Sequence, residues 1–256
     1  GYTKSARQLI LQRYLNKYVD RILGNSEAVK QVVVDQEKVA PGKVDVIYNG
    51  IDIQRLVPDQ AKVEAWKNEF ALDGCIVVGS VGNIRPVKGY DDLVKAAALL
   101  VSQCPAVRFV LAGDGVTKEM RSQVERLGME NRFLFVGAVP EIDIPSFLQL
   151  LDIYVQPSHS EGFSNAVLEA MAVGLPVIVT DVGGNKEVIT HDVEGLKVSP
   201  KAPPELAEAI MRLAEDPASG EKFGRSAKTR VEKDFMYEGM LKKYHDLYHG
   251  LLLNTR

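Results

Sequence analysis

The chain has 256 residues, of which 46% are apolar and 25% charged, so it can bury a full core in one large or two small domains. The net charge of −3 and the lack of a dense basic block argue against nucleic acid as the main ligand. No apolar run approaches the ~20 residues of a membrane span and no secretory leader is recognised, so we expect a cytoplasmic protein.

The first 50 residues alternate between helical and extended patterns. They predict a helix at 4–19, a strand at 21–24, a helix after the N-cap Ser26 and a strand at 44–48. Because two strands do not make a stable sheet alone, and the chain opens on Gly1 rather than Met, we expect residues 1–52 to be the remnant of another domain. Its apolar strands would need cover from the last helix or a partner chain, so self-association through residues 1–50 is expected.

A polar linker is predicted at 53–74, followed by a regular alternation of strands and helices in 75–236. The predicted strands are 75–81, 107–112, 132–136, 152–155, 176–180 and 195–198; the helices between them are 90–103, 118–127, 144–150, 165–173 and 185–189. Strands this apolar have no face suited to contact with solvent. They predict an α/β fold with a Rossmann-like, doubly wound parallel sheet covered on both faces. Three helices at 204–215, 218–233 and 237–253 complete the chain.

Glycine-rich or charged loops follow the predicted strands. They lie at 82–89, 113–115, 137–140, 157–164 and 183–184. In an open parallel sheet, ligands bind beyond the carboxyl ends of the strands, so we expect these loops to converge around one ligand.

Residues 156–174 place two carboxylates eight positions apart across a loop-to-helix junction. Ser164 is a good N-cap, which leaves Glu161 in the loop and puts Glu169 on the second helical turn, on the face of Asn165. Free backbone amides of residues 162–166 would point toward an anion placed at the helix start. We therefore predict the active site at this junction.

These segments resemble the retaining glycosyltransferases of family 4, which have the two-domain GT-B architecture. The resemblance is carried by Ser-Glu-Ala at 26–28, Val-Ile-Tyr-Asn-Gly-Ile-Asp at 46–52, Val-Gly-x5-Lys-Gly at 81–89, Ala-Gly-Asp-Gly at 112–115, Phe-Val-Gly at 135–137 and Pro-Ser-x-x-Glu-Gly-Phe-x4-Leu-Glu-Ala-Met-Ala-x-Gly-x-Pro-Val at 157–177. It implies that 75–236 binds a nucleotide sugar, that 1–52 ends an acceptor domain, and that the helix in 237–256 crosses back toward that domain.

The resemblance also implies roles for single residues. Glu161 would bind hydroxyls of the donor sugar, and Glu169 would hold both ribose hydroxyls. Lys88 would stabilise the diphosphate leaving group. The chain departs from the family at Asn83, which occupies the position of the usual arginine, and we expect Arg85, two residues later, to take over the phosphate contact. We class Arg85, Lys88 and Glu161 as catalytic.

Other donor contacts are carried over from the same family motifs. Backbone groups at Val136, Gly137 and Val139 would bind the base, Gly113 and Gly115 would line the pocket, and Asn83, Gly162, Phe163, Ser164 and Asn165 would complete the donor site. We expect no cofactor and no metal ion, because His245 and His249, an i,i+4 pair, lack a third ligand.

The expected reaction is glycosyl transfer from a nucleoside diphosphate sugar to an acceptor hydroxyl with retention, the retention resting on the resemblance alone. A glycan, lipid-linked or small-molecule acceptor would bind through the absent part of the acceptor domain, so this fragment alone should be inactive. Peripheral contact with the inner membrane surface through that domain is an alternative to a purely cytoplasmic location. Three alternative functions remain open: a non-catalytic nucleotide-sugar-binding module, a GT-B-type epimerase, and a phosphorylase.

Overall fold

The computed structural model describes residues 5–253, which form two separate parallel sheets. The smaller sheet pairs β1 (Ile22–Gly24) with β2 (Val44–Val46), and α2 (Glu27–Glu37) connects them. Before it lies α1 (Ala6–Leu15), so the predicted helix at 4–19 is shorter than expected, and its first residue, Lys4, lies outside the described residues. The helix gives way to a 3-10 turn at Asn16–Tyr18, where the buried Asn16 side chain donates to Glu37 at 2.8 Å.

The predicted linker 53–74 contains a helix that the sequence analysis missed. Helix α3 (Gln60–Glu69) is capped by Asp59, whose carboxylate accepts hydrogen bonds from two backbone amides of the first turn. Val63 on α3 and Leu72 after it are buried in the core beside the larger sheet. This segment is therefore part of the packed domain rather than a free connection.

The larger sheet has six parallel strands in the order β5-β4-β3-β6-β7-β8. The strands are β3 (Ile76–Val81), β4 (Val107–Ala112), β5 (Phe133–Gly137), β6 (Ile153–Gln156), β7 (Val177–Thr180) and β8 (Gly195–Val198). From β3 the chain adds β4 and β5 toward one edge of the sheet. It then returns to β6, beside β3, and adds β7 and β8 toward the other edge. This confirms the doubly wound, Rossmann-like prediction and places the topological switch point between β3 and β6.

Helices cover both faces of this sheet. They are α4 (Tyr90–Leu100), α5 (Lys118–Arg126), α6 (Ile144–Leu148), α7 (Asn165–Ala172), α8 (Asn185–Val188), α9 (Pro203–Glu215) and α10 (Pro217–Asp234), and α11 (Tyr237–Leu253) follows them in the chain. Because successive strand residues point to opposite faces, Val78 packs with α4 and α9, whereas Val77 packs in the core that includes α7 and α10.

The two sheets are joined near the start of α11. Ile51 donates its amide to Phe235 at 2.8 Å and accepts one from Tyr237 at 3.1 Å. Helix α11 itself has no buried residue among those described, and the predicted segment 237–256 continues into residues 254–256, which lie outside them. Between residues 5 and 253, no helix is both long and apolar enough to cross a membrane.

Candidate active site

The loops after β3, β4 and β5 meet at the carboxyl edge of the larger sheet. The Gly82 amide donates to the Ala112 carbonyl at 2.8 Å, and the Gly113 amide donates to the Gly137 carbonyl at 2.7 Å. Gly113 has φ of 147°, and a side chain there would lie 2.0 Å from the Gly82 carbonyl oxygen. The close approach of these loops therefore requires glycine at residue 113.

The loop after β6 is held between the loops after β3 and β7. His159 donates its amide to the Val87 carbonyl at 2.8 Å, and Gly184 donates its amide to the Gly162 carbonyl at 3.1 Å. Gly89, with φ of 68°, leaves room for the Pro157 carbonyl oxygen, which a side chain would meet at 2.0 Å. Loops that are distant in sequence thus gather into one continuous edge.

The predicted catalytic residues Lys88 and Glu161 form an ion pair at this edge. Lys88 Nζ lies 2.6 Å from Glu161 Oε2, and the two side chains are 24% and 13% exposed. Ser158 Oγ also donates to Glu161 Oε2, at 3.2 Å. Because the pair is partly shielded from water, its attraction is stronger than that of a surface salt bridge.

The second carboxylate, Glu169, lies on α7 and lines a cavity of about 900 Å³. Burial, and then the negative charge of Glu141, raise the pKa of Glu169 from its ordinary value of 4.5 to about 7. The described residues that line this cavity include neither Lys88 nor Glu161. They are Gly50, Ile51, Asp52, Gln54, Arg55, Leu56, Val57, Glu141, Ile142, Ile144, Pro145, Glu169 and Tyr237.

Tyr154, on β6, is fully buried. Its hydroxyl begins a chain of hydrogen bonds that ends at Glu161. Burial raises the pKa of Tyr154 well above its ordinary value, and the charge of Glu169 adds to this effect. A hydroxyl with a raised pKa stays protonated at neutral pH, so Tyr154 acts as a hydrogen-bond donor in this chain.

The remaining polar residues of the predicted site have different environments. Arg85 and Asn83 are exposed, and within the described chain neither side chain has a hydrogen bond or ion pair. Ser164 caps α7 as predicted, since its hydroxyl accepts the Val167 amide at 3.4 Å. Asn165 Oδ1 accepts a hydrogen bond of 2.7 Å from the side-chain amide of Asn49, which lies in the loop after β2.

The apolar and glycine residues of the predicted site are packed against neighbouring loops. The buried Phe163 ring lies 5.4 Å from the ring of Tyr48 in the first segment. Val136 and Val139 pack on the core. Gly115 has φ of 98° and lies against the Ile84 carbonyl, and Gly162 lies near Val29 of α2. The segment that contains α2 and Tyr48 therefore forms one wall beside these loops.

The sequence analysis missed an acidic partner for His159. His159 Nε2 lies 2.7 Å from Asp92 Oδ2, and the Asp92 side chain is only 9% exposed. Together with Asp91, these groups are close enough to hold a metal ion, but Lys95 already provides a positive charge at 3.4 Å from Asp91 and 3.3 Å from Asp92. The signal in the sequence is an aspartate in the first turn of α4. It could not reveal the pair, because its partner lies 67 residues away in the chain.

The raised pKa of Glu169 predicts a pH-dependent stability. In the unfolded chain this carboxyl ionises near 4.5, whereas in the folded chain it ionises near 7, so the folded state binds the proton more tightly between these values. Stability should therefore fall as pH rises through this window, by no more than about 3 kcal/mol from this group. Urea unfolding of the Glu169→Gln variant at about pH 5 and about pH 8 should show a smaller loss than in the unsubstituted chain.

The matched control is Glu232→Gln, which changes an exposed glutamate on α10. This variant should retain the pH dependence of the unsubstituted chain. The assignment is wrong if Glu169→Gln and Glu232→Gln lose the same free energy of unfolding between the two pH values.

Comparisons with known protein families match both parts of the chain. The model of glycosyl transferases group 1 matches residues 62–230, and that of glycosyltransferase family 4 matches residues 2–55. A 2-deoxystreptamine glucosyltransferase of Streptomyces kanamyceticus is 32% identical over 196 residues, 75% of this chain and 51% of the relative. A D-inositol 3-phosphate glycosyltransferase of Kribbella flavida is 30% identical over 231 residues, 86% of this chain and 54% of the relative. The chain thus spans about half the length of these curated relatives.

Solved structures resemble the whole described fold. Anabaena HepE, in complex with UDP and glucose, superposes with a TM-score of 0.89 at 27% identity, covering 96% of this chain and 68% of HepE. Sucrose-phosphate synthase from Thermosynechococcus elongatus gives a TM-score of 0.86 at 25% identity, covering 98% of this chain and 63% of the synthase. Because the group 1 match at 62–230 spans more than half of the chain, the chain belongs to the glycosyl transferases group 1 family, and its six-stranded sheet is a Rossmann-like domain of the GT-B type.

Proposed function

We propose that this chain is the donor-binding half of a glycosyltransferase that moves a sugar from a nucleoside diphosphate sugar to an acceptor hydroxyl. The observation that carries the proposal is the meeting of Lys88 and Glu161, 2.6 Å apart, at the carboxyl edge of a doubly wound sheet. A cation and a carboxylate there suit a ligand with both phosphates and hydroxyls. HepE, a solved relative, binds UDP and glucose, which favours a UDP-linked donor.

The two glutamates would bind different parts of the donor. Glu169 lies in a cavity of about 900 Å³ whose size suits a nucleoside, and its carboxylate would accept hydrogen bonds from both ribose hydroxyls. Glu161 lies beside Lys88 and would accept from hydroxyls of the sugar. The base would contact backbone groups of residues 136–139, which end β5 and begin the next loop.

Positive charge would stabilise the leaving diphosphate. As the bond between sugar and phosphate breaks, negative charge grows on the β-phosphate oxygen, and a preorganised cation lowers the barrier. Lys88 is held in place, and Arg85, exposed and without a partner among the described residues, is free to reach the same phosphates. Amides at the start of α7 add to this field, so the proposed reaction requires no metal ion.

We further propose retention of configuration at the anomeric carbon. Neither Glu161 nor Glu169 is assigned as a covalent nucleophile, since both are expected at hydroxyls of the donor. A route in which the leaving phosphate accepts the acceptor's proton on the same face of the sugar is consistent with this assignment.

The separate roles of the two glutamates are tested by titrations with UDP and with UDP-glucose in the presence of EDTA. Glu169→Ala should weaken binding of bare UDP by about 1–3 kcal/mol, because a charge-assisted hydrogen bond to ribose is lost. Glu161→Ala should spare bare UDP and weaken only UDP-glucose. Isothermal titration calorimetry measures both, with the exposed Glu232→Ala as the matched control.

Two outcomes would contradict the proposal. One is an equal loss of UDP and UDP-glucose affinity in the Glu161→Ala variant. The other is a thermal-shift screen in which none of UDP, GDP, ADP and their sugars raises the unfolding temperature, since a ligand that binds only the folded state must stabilise it.

Transfer requires an acceptor site, which we propose lies mainly in a portion of the protein beyond this chain. Within the described part of the chain the smaller sheet has two strands, and the chain spans about half the length of its curated relatives. The 256-residue chain should therefore bind the donor but release little or no product in an assay of glucose transfer from UDP-glucose. Turnover as fast as that of a full-length relative would overturn this assignment.

We also propose that the isolated chain self-associates through its first segment. Ile10 and Tyr14, one helical turn apart on α1, are 66% and 55% exposed, so their burial against a second copy would stabilise a dimer. Light scattering after size exclusion should show a larger mass at higher protein concentration, and Ile10→Glu with Tyr14→Glu should abolish it. Val193→Glu, at a 47% exposed site far along the chain, is the control, and a monomer at all concentrations would refute the proposal.

A further inference from the structure

A chain of buried hydrogen bonds lies beneath Glu161. Tyr154, Gln156 and Ser158 alternate along the end of β6, so their side chains point to the same side of the sheet. The Tyr154 hydroxyl donates to Gln156 Oε1 at 2.9 Å, and Gln156 Nε2 donates to Ser158 Oγ at 2.9 Å. Ser158 Oγ then donates to Glu161 Oε2 at 3.2 Å.

The direction of this chain follows from the chemistry of its members. An amide nitrogen can only donate, so Ser158 Oγ accepts from Gln156 and directs its own hydrogen to Glu161. Tyr154, Gln156 and Ser158 are each no more than 1% exposed, so water does not compete for these bonds. Successive donors that point the same way polarise one another, which strengthens the last bond to the carboxylate.

Further contacts hold the end of this chain in place. Thr180 Oγ1 on β7 donates to the Ser158 carbonyl at 2.5 Å, which fixes the backbone that carries the hydroxyl. The Ser80 and Tyr90 hydroxyls, 3.1 Å apart, form a second buried pair near the same strand ends. Buried polar networks of this kind restrict a side chain to one orientation when all their members are satisfied.

The two oxygens of Glu161 consequently have different environments. Lys88 and Ser158 both donate to Oε2, at 2.6 Å and 3.2 Å. No group within residues 5–253 donates to Oε1. If Lys88 turned to a bound diphosphate, Ser158 would be the remaining donor to Oε2.

We propose that Ser158 and Gln156 are positioning residues that hold Glu161 by Oε2, so that Oε1 is presented to a hydroxyl of the donor sugar. The inference rests on the proposed function, since it assumes that Glu161 contacts the sugar. It assigns a role to two residues whose side chains are no more than 1% exposed. Their effect acts through Glu161 and therefore concerns the sugar portion of the donor alone.

The test compares UDP-glucose with bare UDP by isothermal titration calorimetry of the whole chain. Ser158→Ala removes the last donor of the chain. It should reduce the ratio of UDP-glucose affinity to UDP affinity about tenfold, while the affinity for UDP stays the same. Gln156→Met keeps the volume but removes the polarising amide, and should reduce that gain about threefold. Ser146→Ala is the control, because it removes a 1% exposed hydroxyl that accepts the Asp59 amide at 2.9 Å elsewhere in the fold.

Each outcome decides the proposal. A loss of affinity for UDP-glucose but not for UDP in both variants, absent in the control, supports it. If Ser158→Ala does not fold, the Gln156→Met variant decides the test. Equal losses for UDP and UDP-glucose would mean general loosening of the loop and would overturn it, as would unchanged affinities. Unsubstituted protein that binds UDP but gains nothing from the glucosyl group would refute the contact at Glu161 itself, whereas failure to bind either ligand would refute the proposed donor site.

Discussion

The ion pair between Lys88 and Glu161 joins loops that are 73 residues apart in the chain. Each loop alone connects a strand to the helix that follows it. Together they form a site because β3 and β6 are neighbours at the switch point of the sheet, where the connections leave in opposite directions. Glycines make the approach possible, since residues 89 and 113 have positive φ and leave no space for a side chain. The site therefore depends first on strand order and then on the absence of two side chains.

The two glutamates differ in the buried polar groups that surround them. The hydrogen bonds from Tyr154 to Glu161 lie within the apolar core beside β6 and β7, where an unsatisfied polar group would be costly. Among the described residues no group donates a hydrogen bond to the Glu169 carboxylate, and its raised pKa reflects the cost of burying that charge, to which Glu141 adds. A ligand that donates hydroxyl hydrogens to Glu169 would relieve this cost. The two carboxylates thus differ before any ligand binds: neighbouring groups hold Glu161, whereas no residue in 5–253 donates to Glu169.

Local patterns predicted much of the fold and part of the site. The apolar strands, the N-cap at Ser164 and the placement of Glu161 and Glu169 on either side of it all follow from short-range rules and are confirmed. Helix α3 was missed because only Val63 of its ten residues is buried, so it shows no apolar stripe. The Asp92–His159 pair and the contacts of Gln156 and Ser158 could not be predicted, since they depend on how separate loops meet and on how a polar residue is satisfied in a buried strand.

The most direct measurement is a crystal structure of this chain with UDP-glucose bound. The account predicts one nucleotide whose diphosphate contacts Lys88, whose ribose hydroxyls contact Glu169 and whose glucose hydroxyls contact Glu161 Oε1, with Oε2 still held by Ser158. A nucleotide bound elsewhere would contradict it, for example in the cavity lined by Arg225, Arg230 and Lys233 on α10. So would a glucose that approaches neither oxygen of Glu161.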